Sequence, residues 1–194
     1  DFQGMVSPAR LSEINRSLES RPWRGLIVLC PYLPDRFRGE SQIEDARAFG
    51  EVLAEQLLPR ARLEIPGAGD AAGIDGVSLG GRAALLTGLS RPEIFGVVAA
   101  LQPAIGARDT ALLVDLARRA RAAAPGIGLR LLSSDDDRFL GATRRLSAAW
   151  RESGLEHRLD VVQGTHSYEF NRGPGAIEML LFHDRALRGE PYLP

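Results

Sequence analysis

Gly73-Ile74-Asp75-Gly76-Val77-Ser78-Leu79-Gly80-Gly81-Arg82-Ala83-Ala84-Leu85-Leu86-Thr87-Gly88-Leu89 is the stretch on which the reading of this chain turns. Gly73 to Val77 is an apolar, strand-like run, and the residues from Gly81 onward are helix-like. Between them lies the pentapeptide Gly76-Val77-Ser78-Leu79-Gly80, a G-x-S-x-G string at a strand-to-helix junction. A sharp turn at such a junction lifts a serine hydroxyl above the sheet, and the flanking glycines let neighbouring backbones pass without a Cβ clash. Ser78 is therefore a candidate nucleophile.

Outward from this junction, hydrophobic period and punctuation predict alternating strands and helices. Leu26 to Cys30 is a short, fully apolar run of the kind that buries both faces in a parallel sheet. Ser41 to Leu58 carries Ile43, Ala46, Phe49, Val52, Leu53 and Leu57 at helical spacing and is expected to stop at Pro59. Arg62 to Ile65 reads as a short strand before the loop Pro66 to Gly69. Downstream, strands are expected at Ile94 to Pro103, Leu129 to Ser133 and His157 to Gly164. Helices are expected at Gly80 to Leu89, Thr110 to Ala124 and Phe139 to Ser153, with Gly173-Pro174 opening a last one through Arg188. Near the start, Leu11, Ile14 and Leu18 give Ser7 to Leu18 a helical stripe. The βαβα order with short loops predicts an α/β fold, a mostly parallel sheet with helices on both faces, whose ligand site gathers at the carboxyl ends of the strands.

Size and composition narrow the function. The 194 residues suit one domain spanning 1–194, with 44% hydrophobic and 25% charged residues. No apolar run approaches the ~20 residues of a membrane span. A formal charge of −1 gives no net field toward nucleic acid or anionic lipid. Every one of the 24 basic residues is Arg, which removes lysine-based Schiff-base and Ser-Lys chemistry. Cys30 is the sole cysteine, so intramolecular disulfides and clustered thiolate metal sites are excluded; it reads as a small buried hydrophobe on a strand.

Acyl transfer by serine needs a base for the hydroxyl proton, a carboxylate to orient that base, and amide donors for the developing oxyanion. After the strand ending at Ser133-Ser134 come Asp135, Asp136 and Asp137, and after the strand ending at Gly164 comes Thr165-His166. Of the three histidines, His157 precedes the last strand and His183 falls in the last helix, which leaves His166 in a post-strand loop. The resulting order Ser, Asp, His is that of α/β-hydrolases. The residues alone leave the three aspartates open, since carboxylates before a helix also cap it and favour the positive end of its dipole.

The elbow block, together with Arg91-Pro92-Glu93-Ile94-Phe95-Gly96-Val97-Val98-Ala99-Ala100-Leu101-Gln102-Pro103, resembles the putative-esterase family of α/β-hydrolases. That family includes S-formylglutathione hydrolase, feruloyl esterases, enterochelin esterases and mycolyltransferases. Asp1-Phe2-Gln3-Gly4, Phe49 to Pro59, Asp137-Arg138-Phe139-Leu140 and Gly164 to Phe170 extend the likeness over nearly the whole chain. The resemblance implies Ser78 as nucleophile, His166 as general base and Asp137, two residues before Phe139, as the acid. It implies the backbone N–H groups of Leu79 and Gln3 as the oxyanion hole. The implied activity is ester hydrolysis through an acyl-enzyme, on a small-molecule ester and with neither metal nor organic cofactor. Acyl transfer to an alcohol from the same intermediate, and a non-catalytic binding protein on the same fold, are the alternatives.

Family members carry about three strands ahead of the loop matched by Asp1-Phe2, and the third lies between the strands matched at Leu26 and Gly73. N-terminal strands are thus expected to be missing from this sequence, with the native polypeptide extending beyond Asp1. For substrate contacts, Arg36, Phe37, Arg38 and Glu40 form either a pocket wall or a solvated loop. Tyr168, Phe170, Asn171 and Arg172 adjoin His166 and either line a pocket or pack under the last helix, while Trp23 and Trp150 read as packing. Oligomeric state and compartment are left open.

Overall fold

The computed structural model describes residues 6–33 and 42–192. Gln3 and Arg38 lie outside the described residues, as do Arg36, Phe37 and Glu40. Four strands, β1 (Ala72–Ile74), β2 (Phe95–Leu101), β3 (Gly128–Asp136) and β4 (Arg158–Thr165), form one sheet in sequential order. Every pairing is parallel. The helices are α1 (Pro8–Ser20), α2 (Gln42–Val52), α3 (Leu58–Glu64), α4 (Leu79–Ser90), α5 (Asp109–Ala123), α6 (Leu140–Glu152), α7 (Tyr168–Arg172) and α8 (Pro174–Ala186).

Strand β2 shows how the layers form. Val98 and Ala100 join the main core with Leu85, Leu86 and Leu89 of α4, Leu113 and Leu116 of α5, and Leu146 and Trp150 of α6. Val97 and Ala99 point the other way, to Ile14 of α1 and Leu181 and Phe182 of α8. Alternate residues thus bury against opposite helical layers, which is why the strand is apolar throughout. A third apolar group, Leu101, Leu132 and Phe170 with Val77, Val162 and Met179, fills the sheet's carboxyl end.

Three expectations are corrected. Leu26 to Cys30 forms no strand: Ile27 and Val28 are 43% and 58% exposed, and Cys30 is exposed rather than buried. The run has strand composition, but a strand exists only where a neighbour takes up its backbone N–H and C=O groups, and none of the described residues pairs with it. Helix formation does not stop at Pro59. A π-helical turn over Leu53–Leu57, with the Leu58 N–H bonded to the Leu53 carbonyl, hands the chain into α3, where Pro59 occupies the tolerated first turn. Arg62 to Ile65, read as a strand, consequently belongs largely to α3, and Arg62 reaches out to the Asp70 carbonyl at 2.9 Å.

One layer holds a buried ionic cluster. Arg130 on β3 is 1% exposed and donates to Asp160 at 2.8 Å and to Glu178 Oε2 at 2.7 Å, with a further bond to the Glu178 carbonyl at 2.8 Å. Arg10 of α1 reaches Glu178 at 2.6 and 2.8 Å, Arg158 reaches Asp160 at 2.8 Å, and the Tyr192 hydroxyl donates to Glu178. The Arg130 guanidinium also lies 4.3 Å from the Tyr192 ring centroid. Burial pushes the Asp160 and Glu178 carboxyls up. The arginine hydrogen bonds and charges around them outweigh that, so both are held below the ordinary carboxylate range.

Candidate active site

Ser78 links the Val77 bridge to α4. Its backbone sits at φ 56°, ψ −117°, a conformation rare for a residue with a side chain. Hydrogen bonds hold it there. The Ser78 N–H donates to the Leu101 carbonyl at 3.0 Å, the Leu101 N–H to Gly76 at 2.9 Å, and the Ala104 N–H to the Ser78 carbonyl at 2.9 Å. Leu79 opens α4, where the first N–H groups of a helix have no intrahelical acceptor and the dipole is positive.

His166 follows the last residue of β4. Between β3 and β4 the register shifts, Ser134 opposing Val162 but Asp136 opposing Thr165, and Gly164 inside this irregularity adopts φ +150°. Such a bulge re-aims the chain at a sheet end. His166 Nε2 comes to lie 3.1 Å from Ser78 Oγ, and His166 Nδ1 lies 2.9 Å from Asp137 Oδ1. The Phe139 ring meets the imidazole edge-on, with centroids 5.3 Å apart.

Asp137 is the one aspartate of the run that is buried. Its Oδ2 accepts from Ser133 Oγ at 2.6 Å, and its Oδ1 accepts from the Phe139 N–H at 3.0 Å as well as facing His166. Asp135 and Asp136 are exposed and end β3 instead of capping α6, where no side-chain cap forms. Asp135 Oδ1 takes the Gly164 N–H at 2.9 Å, bracing the bulge. Ser133 and Phe139 carry no signal in isolation; two serines following Leu131-Leu132 beside a carboxylate run were the available clue.

Tyr168, in the first turn of α7, is 68% exposed and accepts a hydrogen bond from Arg172 at 3.1 Å. Phe170 is 2% exposed, packed beneath Gly164 and Gly175 in the carboxyl-end apolar group. That is the packing arrangement, although Phe170 also borders a cavity of about 400 Å³ lined by Asp135, Asp136, Gln163, Thr165 and Ser167. Helix α7 itself was not anticipated, although Ser167 caps it by accepting from the Phe170 N–H at 3.3 Å. Among the described residues no group of three or more His, Cys, Asp or Glu is placed to hold a metal ion. No described helix is long and apolar enough to cross a membrane.

A parallel sheet wrapped by helices, with serine, carboxylate and histidine brought to its carboxyl end, defines an α/β-hydrolase fold. The chain belongs to the Putative esterase family, whose profile matches residues 33–172. Among solved structures it is similar to a ferulic acid esterase, at 19% identity and TM-score 0.60, covering 72% of this chain and 61% of that one. It is also similar to the enterobactin esterase of Shigella flexneri, with 24% identity, TM-score 0.56 and coverage of 70% and 38%. A third is the S-formylglutathione hydrolase of Staphylococcus aureus, with 16% identity, TM-score 0.52 and coverage of 69% and 62%. The chain thus spans less than two thirds of the length of these structures. No curated protein matches it.

Proposed function

We propose that this protein hydrolyses a small-molecule carboxylic ester through a covalent serine intermediate. The observation that carries this reading is the unbroken series from Ser78 Oγ to His166 Nε2, 3.1 Å, and from His166 Nδ1 to Asp137 Oδ1, 2.9 Å. Membership of the esterase family supports it.

In the proposed sequence Ser78 Oγ attacks the ester carbonyl carbon while its proton passes to His166 Nε2. Asp137 accepts from Nδ1–H, holding the tautomer and balancing the imidazolium. The Leu79 N–H, with that of Gln3 as the resemblance assigns it, stabilises the tetrahedral oxyanion. Collapse breaks the bond to the alkoxy oxygen, which leaves as the alcohol with the proton held by His166. Water then adds to the acyl carbon, giving its proton to His166; the acid departs and the proton returns to Ser78 Oγ.

Each first-rank partner is held by contacts that do not depend on substrate. Asp137 is fixed by Ser133 and Phe139, and Ser78 by the Leu101 and Ala104 backbone. Such preorganisation is what a proton relay needs, because the groups need not be assembled during the reaction. Turnover of p-nitrophenyl acetate by wild type and by Ser78→Ala tests the reading: loss of the nucleophile is expected to lower kcat by about 10⁶-fold. Undiminished turnover by Ser78→Ala would reject it.

A further inference from the structure

We propose that Gln102 is a positioning residue that holds the His166 loop within reach of Ser78, an inference that rests on the hydrolytic reading above. Gln102 directly follows β2 and is fully buried. Its φ is +46°, so a buried residue with a long side chain holds its backbone in the left-handed region. Such a conformation persists only where its surroundings over-determine it, and it concentrates at functional sites. The Gln102 N–H is bound to the Leu132 carbonyl at 2.7 Å.

The side chain spans the two strands that deliver Asp137 and His166. Gln102 Nε2 donates to Ser134 Oγ at 2.6 Å, three residues before Asp137, and to the Thr165 carbonyl at 2.9 Å, immediately before His166. Its chain neighbour Leu101 receives the Ser78 N–H at 3.0 Å. Gln102 thus ties together the chain segments bearing Asp137 and His166, and its neighbour Leu101 adds the one bearing Ser78. Gln102 does so where the β3–β4 register shifts, between the Ser134–Val162 and Asp136–Thr165 pairs.

Filling space does not account for a glutamine here. Its Oε1 is buried with no hydrogen-bond donor among the described residues. A buried unpaired acceptor is unfavourable, and an apolar side chain of like size would avoid it. What the amide adds is a pair of N–H donors directed at the strand ends.

The test compares Gln102→Met, which keeps length without donors, and Gln102→Gly, which also relieves the positive φ, in the full chain. Steady-state kinetics on p-nitrophenyl acetate, thermal melting and the downfield proton resonance of the His166 Nδ1–H are read for each, beside Ser78→Ala. Misplacement of the base predicts kcat lower by about 10- to 100-fold with KM changed by no more than about twofold. The His166 resonance is expected to broaden or vanish while the Gly variant melts cooperatively, and if the Met variant does not fold, the Gly variant carries the test. Folded variants with wild-type kcat and an unaltered resonance, beside an inactive Ser78→Ala, would overturn the positioning role alone. Full activity of Ser78→Ala would overturn the hydrolytic reading and this inference with it.

Discussion

Gly76 and Gly80 approach each other so closely that a Cβ on Gly76 would lie 2.4 Å from the Gly80 carbonyl carbon and oxygen. The same construction at Gly80 meets nothing within 4 Å. The two glycines of the pentapeptide are thus unequal, though the string gives them the same letter. Gly76→Ala is expected to displace the turn and lose both activity and several degrees of melting temperature. Gly80→Ala, inside α4, is expected to leave the melting temperature unchanged or raise it, by about 0.4–1 kcal/mol of stability. Melting curves of the two variants distinguish them.

Asp137 and its exposed neighbours give a second discrimination. If Asp137 orients His166, Asp137→Asn is expected to lower kcat by about 10⁴-fold. Asp136→Ala, which removes an exposed carboxylate, is expected to stay within about threefold of wild type. The reverse ranking in ester turnover would move the acid to Asp136.

Glu178 anchors Arg130, Arg10 and Tyr192 at once, so Glu178→Ala takes from the buried Arg130 guanidinium one of its two carboxylate partners and leaves it Asp160. Breaking a buried pair from one side is expected to cost about 3–5 kcal/mol, read by urea denaturation. The pH dependence follows from the depressed carboxyls of Asp160 and Glu178. Below their unfolded-state values, near ~4, the unfolded chain takes up protons first. Their contribution is therefore complete above about pH 5 and is lost as pH falls through their lower folded-state values. Stability measured from pH 6 downward should decline with a steeper acid limb in wild type than in Asp160→Asn.

Cys30 is exposed on the irregular segment before residue 34. Dithionitrobenzoate is expected to titrate one thiol per chain in native buffer, without denaturant. Burial in a sheet would delay the reaction until unfolding.

Much of this arrangement was legible because punctuation marks strand ends. Gly-Val-Ser, Ser-Ser-Asp and Gly-Thr-His each close a strand-like run, and parallel topology then carries all three to the carboxyl end of the sheet. Other features were not legible, for physical reasons. Leu26 to Cys30 has the same composition as a buried strand, and composition does not reveal whether a neighbour is there to pair. Pro59 reads as a stop unless a π turn rearranges the bonds before it. The Arg130–Asp160–Glu178 cluster joins residues up to 48 positions apart. A lone arginine inside Leu129-Arg130-Leu131-Leu132 was its one visible trace, since a charge in a buried strand requires a partner. Gln102 is likewise silent in sequence, because its importance lies in a positive φ and in contacts with Ser134 and Thr165.

The most direct measurement is the site of labelling by a fluorophosphonate, which reacts with a serine whose hydroxyl is activated by a neighbouring base. Peptide mass spectrometry of the labelled protein is expected to place one adduct on Ser78, with labelling abolished in Ser78→Ala and strongly slowed in His166→Ala. An unlabelled wild-type protein, or an adduct on any other residue, would contradict the assignment of Ser78 as the attacking group.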